Sequence, residues 1–150
     1  MNVGFRFMDG TRDWGWICEQ VRILRVEDTT GIVAVNSDTG ELLAACVMDN
    51  WTCSSVQCHL TITDMMAVRH GFIQKITDYV FTEQDKKFMY GLVPSNNEKA
   101  LKLNKHFGFT EKTRLHGTFG EGLDYVILEL NRENCPYWTS PRAAMENEDG

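Results

Sequence analysis

Apolar positions in this chain switch period from two to about three and a half and back again, and the switches mark its elements. Val3 to Phe7 reads as a first strand, closed by a turn at Asp9-Gly10. Trp14, Ile17, Val21 and Leu24 then form a helical stripe, which predicts one helix over Asp13 to Val26. Gly31 to Asn36 and Glu41 to Asp49 are apolar runs on either side of Ser37-Asp38-Thr39-Gly40, a hairpin signature. Val56 to Thr63 alternates, with Val56, Cys58, Leu60 and Ile62 on one face and Gln57, His59, Thr61 and Thr63 on the other. A helical segment follows, then a strand over Lys87 to Val93, a second helix, and a closing hairpin whose last strand is Leu123 to Leu130. The expected fold class is α/β, a mixed sheet entered as a meander of strands and completed by helix, strand, helix and hairpin.

The second helix is the most specific stretch. Ser95 and Glu98, three residues apart, predict a capping box. Ala100, Leu101, Leu103 and Phe107 recur at helical spacing, and Gly108 supplies the C-terminal stop. Asn97 and Asn104 are seven apart and share one face, with Ala100 and Leu101 between them. Two amides on a half-apolar face are unusual for a helix that only packs.

A strand, a short loop with Asn97, one helix with Ala100 and Phe107, and then Gly108-Phe109 resemble the second motif of the GCN5-related acetyltransferase (GNAT) family. The block from Thr110 to Leu130 is similar to the closing hairpin of its RimJ/RimL-like branch, and small phage-encoded members are a further likeness. The resemblance covers about Gly31 to Leu130 and implies the acyl-CoA N-acyltransferase fold, with acetyl-CoA as co-substrate, no metal, and a primary amine as acceptor. It also implies that Asn97 bonds the pantetheine chain. Asn104 stands where the family often carries a tyrosine general acid, and would hydrogen-bond the leaving sulfur. A homodimer through sheet edges is implied as well.

Family members hold the pyrophosphate on a glycine loop that opens a helix, where free N–H groups and the helix dipole attract anions. The matching stretch here is Val68-Arg69-His70-Gly71-Phe72-Ile73. Gly71 fits; Val68 replaces the usual Arg or Gln, Arg69 comes one residue late, and Ile73 replaces a small residue. A rival reading has Asp64 capping one unbroken helix from Met65 to Phe81, with Met66, His70, Ile73, Thr77 and Val80 inward and no loop at all.

If the loop works, backbone at Ile62 and Thr63 would hold the thioester arm, and the N–H near Ile62 would polarise its carbonyl. His59 or Asp64 would take the proton of the acceptor amine. Bland readings stand beside these: His59 as a structural strand histidine, Asp64 as a helix cap, His70 as helix surface, and His106 as a C-terminal dipole partner. The rival to the enzyme is a catalytically silent protein on the same fold, serving as a structural or host-interaction protein.

Composition narrows the partners. With 150 residues, 43% hydrophobic and 24% charged, the chain suits one globular domain over 1–130, followed by a mobile acidic tail over 131–150. A net charge of −6 argues against nucleic acid as a partner. No apolar run has the length of a membrane span. Five cysteines without a CxxC pair suit reduced thiols and a cytoplasmic setting. Cys53, Cys58 and His59 lack a second ligand pair for zinc.

Overall fold

The computed structural model describes residues Met1 to Thr139. Its strands are β1 (Val3–Phe7), β2 (Thr30–Asn36), β3 (Leu42–Asp49), β4 (Ser55–Ile62), β5 (Phe88–Pro94), β6 (Thr110–Gly120) and β7 (Leu123–Asn131). Its α-helices are α1 (Trp14–Gln20), α2 (Met66–Arg69), α3 (Phe72–Thr77) and α4 (Glu98–His106). This is the expected order of meander, helix, strand, helix and hairpin. The chain forms two compact units: Met1–Thr52 with Gln57–Ile76, and Cys53–Val56 with the described residues from Thr77 on.

In the first unit β1 to β4 pair antiparallel in chain order. The register puts Val33, Ala45, Val47, His59 and Thr61 on one face. There Ile17 of α1 packs with Val33, Ala45 and Val47, flanked by Met8, Trp14 and Trp16. The opposite face carries Phe5, Cys46, Cys58 and Ile62, and the Phe5 ring lies 5.9 Å from that of Phe72.

The helix predicted over Asp13 to Val26 is only seven residues long. Val21 is already extended (φ −130°, ψ 127°), and Leu24 is 83% exposed rather than inward. Val21, Ile23 and Val26 are β-branched, so the segment favours extended backbone, and the turns at 27–28 must deliver β2 at Thr30. Asp13 starts the helix while its carboxylate holds Arg6 of β1 at 2.6 Å and the Asp9 N–H at 2.7 Å.

The unbroken helix over Met65 to Phe81 is overturned. Gly71 has φ +99° and separates α2 from α3, and the chain then continues as a π-helical turn over Asp78–Glu83. A left-handed residue cannot sit inside an α-helix, so Gly71 forces the break.

The second unit pairs β5 with β7 and β7 with β6, all antiparallel. Val126, Leu128 and Leu130 of β7 are buried, as are Met89 and Val93 opposite them. The capping box at Ser95 does not form. Asn97 caps α4 instead, its Oδ1 accepting the Ala100 N–H at 3.1 Å. Ser95 is held by β7: its N–H donates to the Asp124 carbonyl (2.8 Å), and its Oγ accepts the Asp124 N–H (2.9 Å). At the other end Phe109 N–H reaches the Asn104 carbonyl and Gly108 N–H that of Lys105, both at 3.1 Å, with Gly108 at φ +104°. That is a Schellman closure, as the glycine predicts.

The start of the expected mobile tail is packed. The Trp138 Nε1–H donates to Thr82 Oγ1 at 2.8 Å, and the Tyr137 ring meets Phe107 edge-on at 5.9 Å. Aromatic burial outweighs the polar composition that suggested mobility. The acidic end, 140–150, lies outside the described residues.

Candidate functional site

Most of the candidate residues, from His59 to Ile73, belong to the first unit. His59 sits on β4, on the face that α1 covers. Its Nε2 lies 3.1 Å from both Asp49 oxygens, and the two side chains are 16% and 14% exposed. Asp49 ends β3, and the register pairs Val47 with His59, so Asp49 reaches the imidazole diagonally across the ladder. Cys58 points to the opposite face, so it and His59 cannot share a metal ion. Among the described residues no cluster of three His, Cys, Asp or Glu is placed to hold one.

Beyond His59 the strand end is tied off at one carbonyl. Leu43 O accepts the Thr63 N–H (2.9 Å), the Asp64 N–H (3.1 Å) and the Thr63 hydroxyl (3.0 Å). Thr63 therefore has both its donors committed to the fold, against the expectation that it would hold a ligand. The Thr63 to Leu43 bond makes Ile62 and Ala44 a non-hydrogen-bonded pair. Consequently the Ile62 N–H points away from β3, as an oxyanion donor would need to.

Asp64 lies just before α2, whose N-cap residue is Met65, and its Oδ1 accepts the Met66 N–H at 2.9 Å. His70 folds back so that its Nδ1 lies 2.8 Å from the Met66 carbonyl, which spends that nitrogen within α2. Phe72 is fully buried and Ile73 is 4% exposed, main chain included, so against expectation both are packed under the turn and not presented to a ligand.

Gly71 is different. An added Cβ there would meet only Gln74 Oε1, at 3.8 Å, so the space at its α-carbon is open. Arg69 is exposed, touches the Met66 sulfur at 3.8 Å, and has no acidic partner among the described residues. The open α-carbon of Gly71 and the exposed Arg69 guanidinium two residues away leave room for an anionic group, although the Gly71 N–H is itself given to the Val68 carbonyl at 3.0 Å.

Asn97 and Asn104 belong to the second unit. Asn97 is exposed, with its Oδ1 used as the cap and its NH₂ still available. Asn104 is half-buried and donates Nδ2–H to the Ala100 carbonyl at 2.8 Å.

Two partners escaped the sequence reading. Asp49 is one; the only signal for it was an acidic residue on the same alternation parity as His59. Asp124 is the other. It accepts the Gly117 N–H at 3.0 Å and lies 3.2 Å from His116 Nδ1 on the β6 bulge. The Gly117 N–H, outweighing slight desolvation and aided by His116, holds its carboxyl below the ordinary range.

No family model and no curated protein sequence matches this chain. Solved structures do. The spermidine/spermine N-acetyltransferase SpeG of Vibrio cholerae superposes with a TM-score of 0.71 at 16% identity, over 88% of this chain and 96% of that one. The same enzyme in complex with CoA and spermine gives 0.70 at 16% identity, with the same coverage. Its dodecameric form gives 0.69 at 16%, over 86% and 93%. The seven strands and four α-helices among the described residues therefore adopt the mixed α/β fold of the GNAT acetyltransferases.

Proposed function

We propose that this protein moves an acetyl group from acetyl-CoA to a primary amine by direct attack of the amine on the thioester. The observation that carries the reading is the break at Gly71: the backbone turns left-handed there and nothing crowds its α-carbon. An unbroken helix would have removed the place for a pyrophosphate; the break, on an acetyltransferase fold, supports the reading that one is held there.

In this reading the guanidinium of Arg69 and the uncrowded backbone of Gly71 receive the phosphates, with Phe72 and Ile73 buried beneath as the support of that turn; the Gly71 N–H, given to the Val68 carbonyl at 3.0 Å, would have to be released to serve as a donor. His70 adds a surface imidazole beside the phosphates. The Ile62 N–H polarises the thioester carbonyl, and Asn97 offers its NH₂ to the pantetheine arm. Acetyl-CoA brings the activated acyl group. His59 takes the proton that the acceptor ammonium must lose. We assign the base to His59 rather than Asp64, because the Asp64 carboxylate is engaged at the start of α2. Asn104 retains one N–H to hydrogen-bond the departing sulfur, but unlike a tyrosine it gives up no proton to it.

The solved relatives named above are polyamine enzymes, and the closing hairpin resembles the RimJ/RimL-like branch, which favours protein amines. Both acceptors are primary amines, and that is the class assigned here. A cytoplasmic setting and a homodimer belong to the same reading.

Thermal melting with and without acetyl-CoA tests it. A ligand at a hundred times its dissociation constant stabilises the folded state by about 2.7 kcal/mol. The expected result is a clear upward shift that Gly71→Glu abolishes, followed by acetylation of spermidine or of a peptide N-terminus. No shift at millimolar acetyl-CoA would favour the silent fold, for which the losses at Val68, Ile73 and Asn104 speak.

A further inference from the structure

The geometry points to Asp49 as the positioning residue of the acid–base group, a carboxylate that fixes the His59 imidazole so that Nδ1 is the atom receiving the proton. The inference rests on the reading that His59 is the base and deepens it.

The Nε2 nitrogen is equidistant from the two Asp49 oxygens, 3.1 Å from each. A neutral imidazole placed this way carries its hydrogen on Nε2, shared between two acceptors, and leaves the lone pair on Nδ1. Nδ1 has no hydrogen-bond partner among the described residues, and the side chain keeps 16% of its surface exposed. The ring is pinned at Nε2 and unengaged at Nδ1.

Position argues against a pair that only braces the sheet. Asp49 and His59 lie beside Val47, at the margin of the apolar cluster under α1. A bracing contact between those strands could be made by two apolar side chains without desolvating a carboxylate. The arrangement instead suits a charge that appears and disappears on the ring. The acceptor R–NH₃⁺ loses one N–H bond and Nδ1–H forms, the imidazolium being balanced by Asp49. The freed lone pair then attacks the thioester carbon, the C–S bond breaks, and the sulfur leaves as thiolate. The second amine proton neutralises that thiolate, and His59 returns its own proton to water.

Site-resolved modification of the full-length protein by diethyl pyrocarbonate tests Asp49 without any acceptor, because the reagent is attacked by an imidazole lone pair. Peptide mass spectrometry follows His59 in the wild type, Asp49→Asn and Asp49→Glu. Asparagine keeps the shape and an acceptor oxygen but not the charge. His59 modification should slow about tenfold in Asp49→Asn, the difference between a charge-assisted and a neutral hydrogen bond. It should return to within about twofold of wild type in Asp49→Glu, while melting temperatures stay level. Equal rates in the wild type and Asp49→Asn, or no modification of His59 in the wild type, overturn the proposal. The base assignment fails separately. If turnover of spermidine survives His59→Gln undiminished, His59 is not the base, whatever Asp49 does to the ring.

Discussion

Asn97 and Asn104 are joined through a single residue of α4: one takes the Ala100 N–H at 3.1 Å, and the other gives a hydrogen to the Ala100 carbonyl at 2.8 Å. Each amide thus spends one half on the helix and keeps the other half. Asn97 retains its NH₂, and Asn104 retains its carbonyl oxygen and a second N–H.

Replacing Asn104 by tyrosine should raise kcat, because a phenol donates a proton to a leaving thiolate and an amide does not. General acids contribute about a hundredfold or more, so even imperfect placement should give roughly tenfold. Asn104→Ala should lower kcat while leaving the acetyl-CoA thermal shift intact. Steady-state rates of the three proteins with spermidine decide the matter; identical kcat values would remove Asn104 from the reaction.

Gly71 and Gly108 are both left-handed, yet only one is crowded. A Cβ on Gly108 would stand 2.8 Å from Pro136 Cδ and 3.3 Å from Leu130 Cδ1, whereas at Gly71 it meets nothing nearer than 3.8 Å. Gly71→Ala should cost only the backbone penalty, about 1–2 kcal/mol. Gly108→Ala adds steric conflict with the segment that packs after β7, and should cost about 1–3 kcal/mol more. Urea unfolding of both variants measures the difference, and equal midpoints would contradict it.

The Arg6–Asp13 pair should make stability pH-dependent at the acid end. Burial works to raise the Asp13 carboxyl, but the Arg6 hydrogen bonds, the Asp9 N–H and the charges of Arg6 and Arg12 outweigh it, and the group sits below its ordinary value. A depressed carboxyl contributes in full above the unfolded value of about 4, and its contribution fades as pH falls from there toward its lower folded value. At pH 7, Asp13→Asn should destabilise by about 2 kcal/mol, since a buried charged hydrogen-bond partner is lost. That corresponds to roughly 4–8 °C for a chain of this size. Melts compared between pH 7 and pH 3 should show the gap closing.

Thiol labelling should rank the cysteines. Cys53 is exposed and Cys18 half-buried, whereas Cys46, Cys58 and Cys135 are buried. A hydrogen bond with Cys58, together with burial, holds the Cys46 thiol well above its ordinary value. Burial also raises Cys135, against the N–H groups of Tyr137 and Trp138. Iodoacetamide at pH 8 should modify Cys53 first, and the three buried thiols only after denaturation. Rapid native modification of Cys46 would contradict the packing between β3 and β4.

Much of this molecule was already written in local order. The alternation in Val56 to Thr63, the hairpin at Asp38 and the stop at Gly108 follow from side chains within a few positions of one another, where strand pleat, turn chemistry and helix spacing act directly. The resemblance carried by Asn97, Ala100 and Gly108-Phe109 extended that reading to the order of elements from about Gly31 to Leu130. Tertiary contacts alone decided the rest. Ser95 and Asn97 are comparable caps by propensity, and β7 settled the choice by capturing Ser95 through Asp124, 29 residues away. Gly71 was compatible with either a helix or a loop, and only its folded φ chose. His59 acquired a partner in Asp49 because a register, not a spacing, laid the two across one ladder. Local rules specify which backbone states a segment prefers, but which polar groups end as neighbours is set when strands pair and apolar faces close.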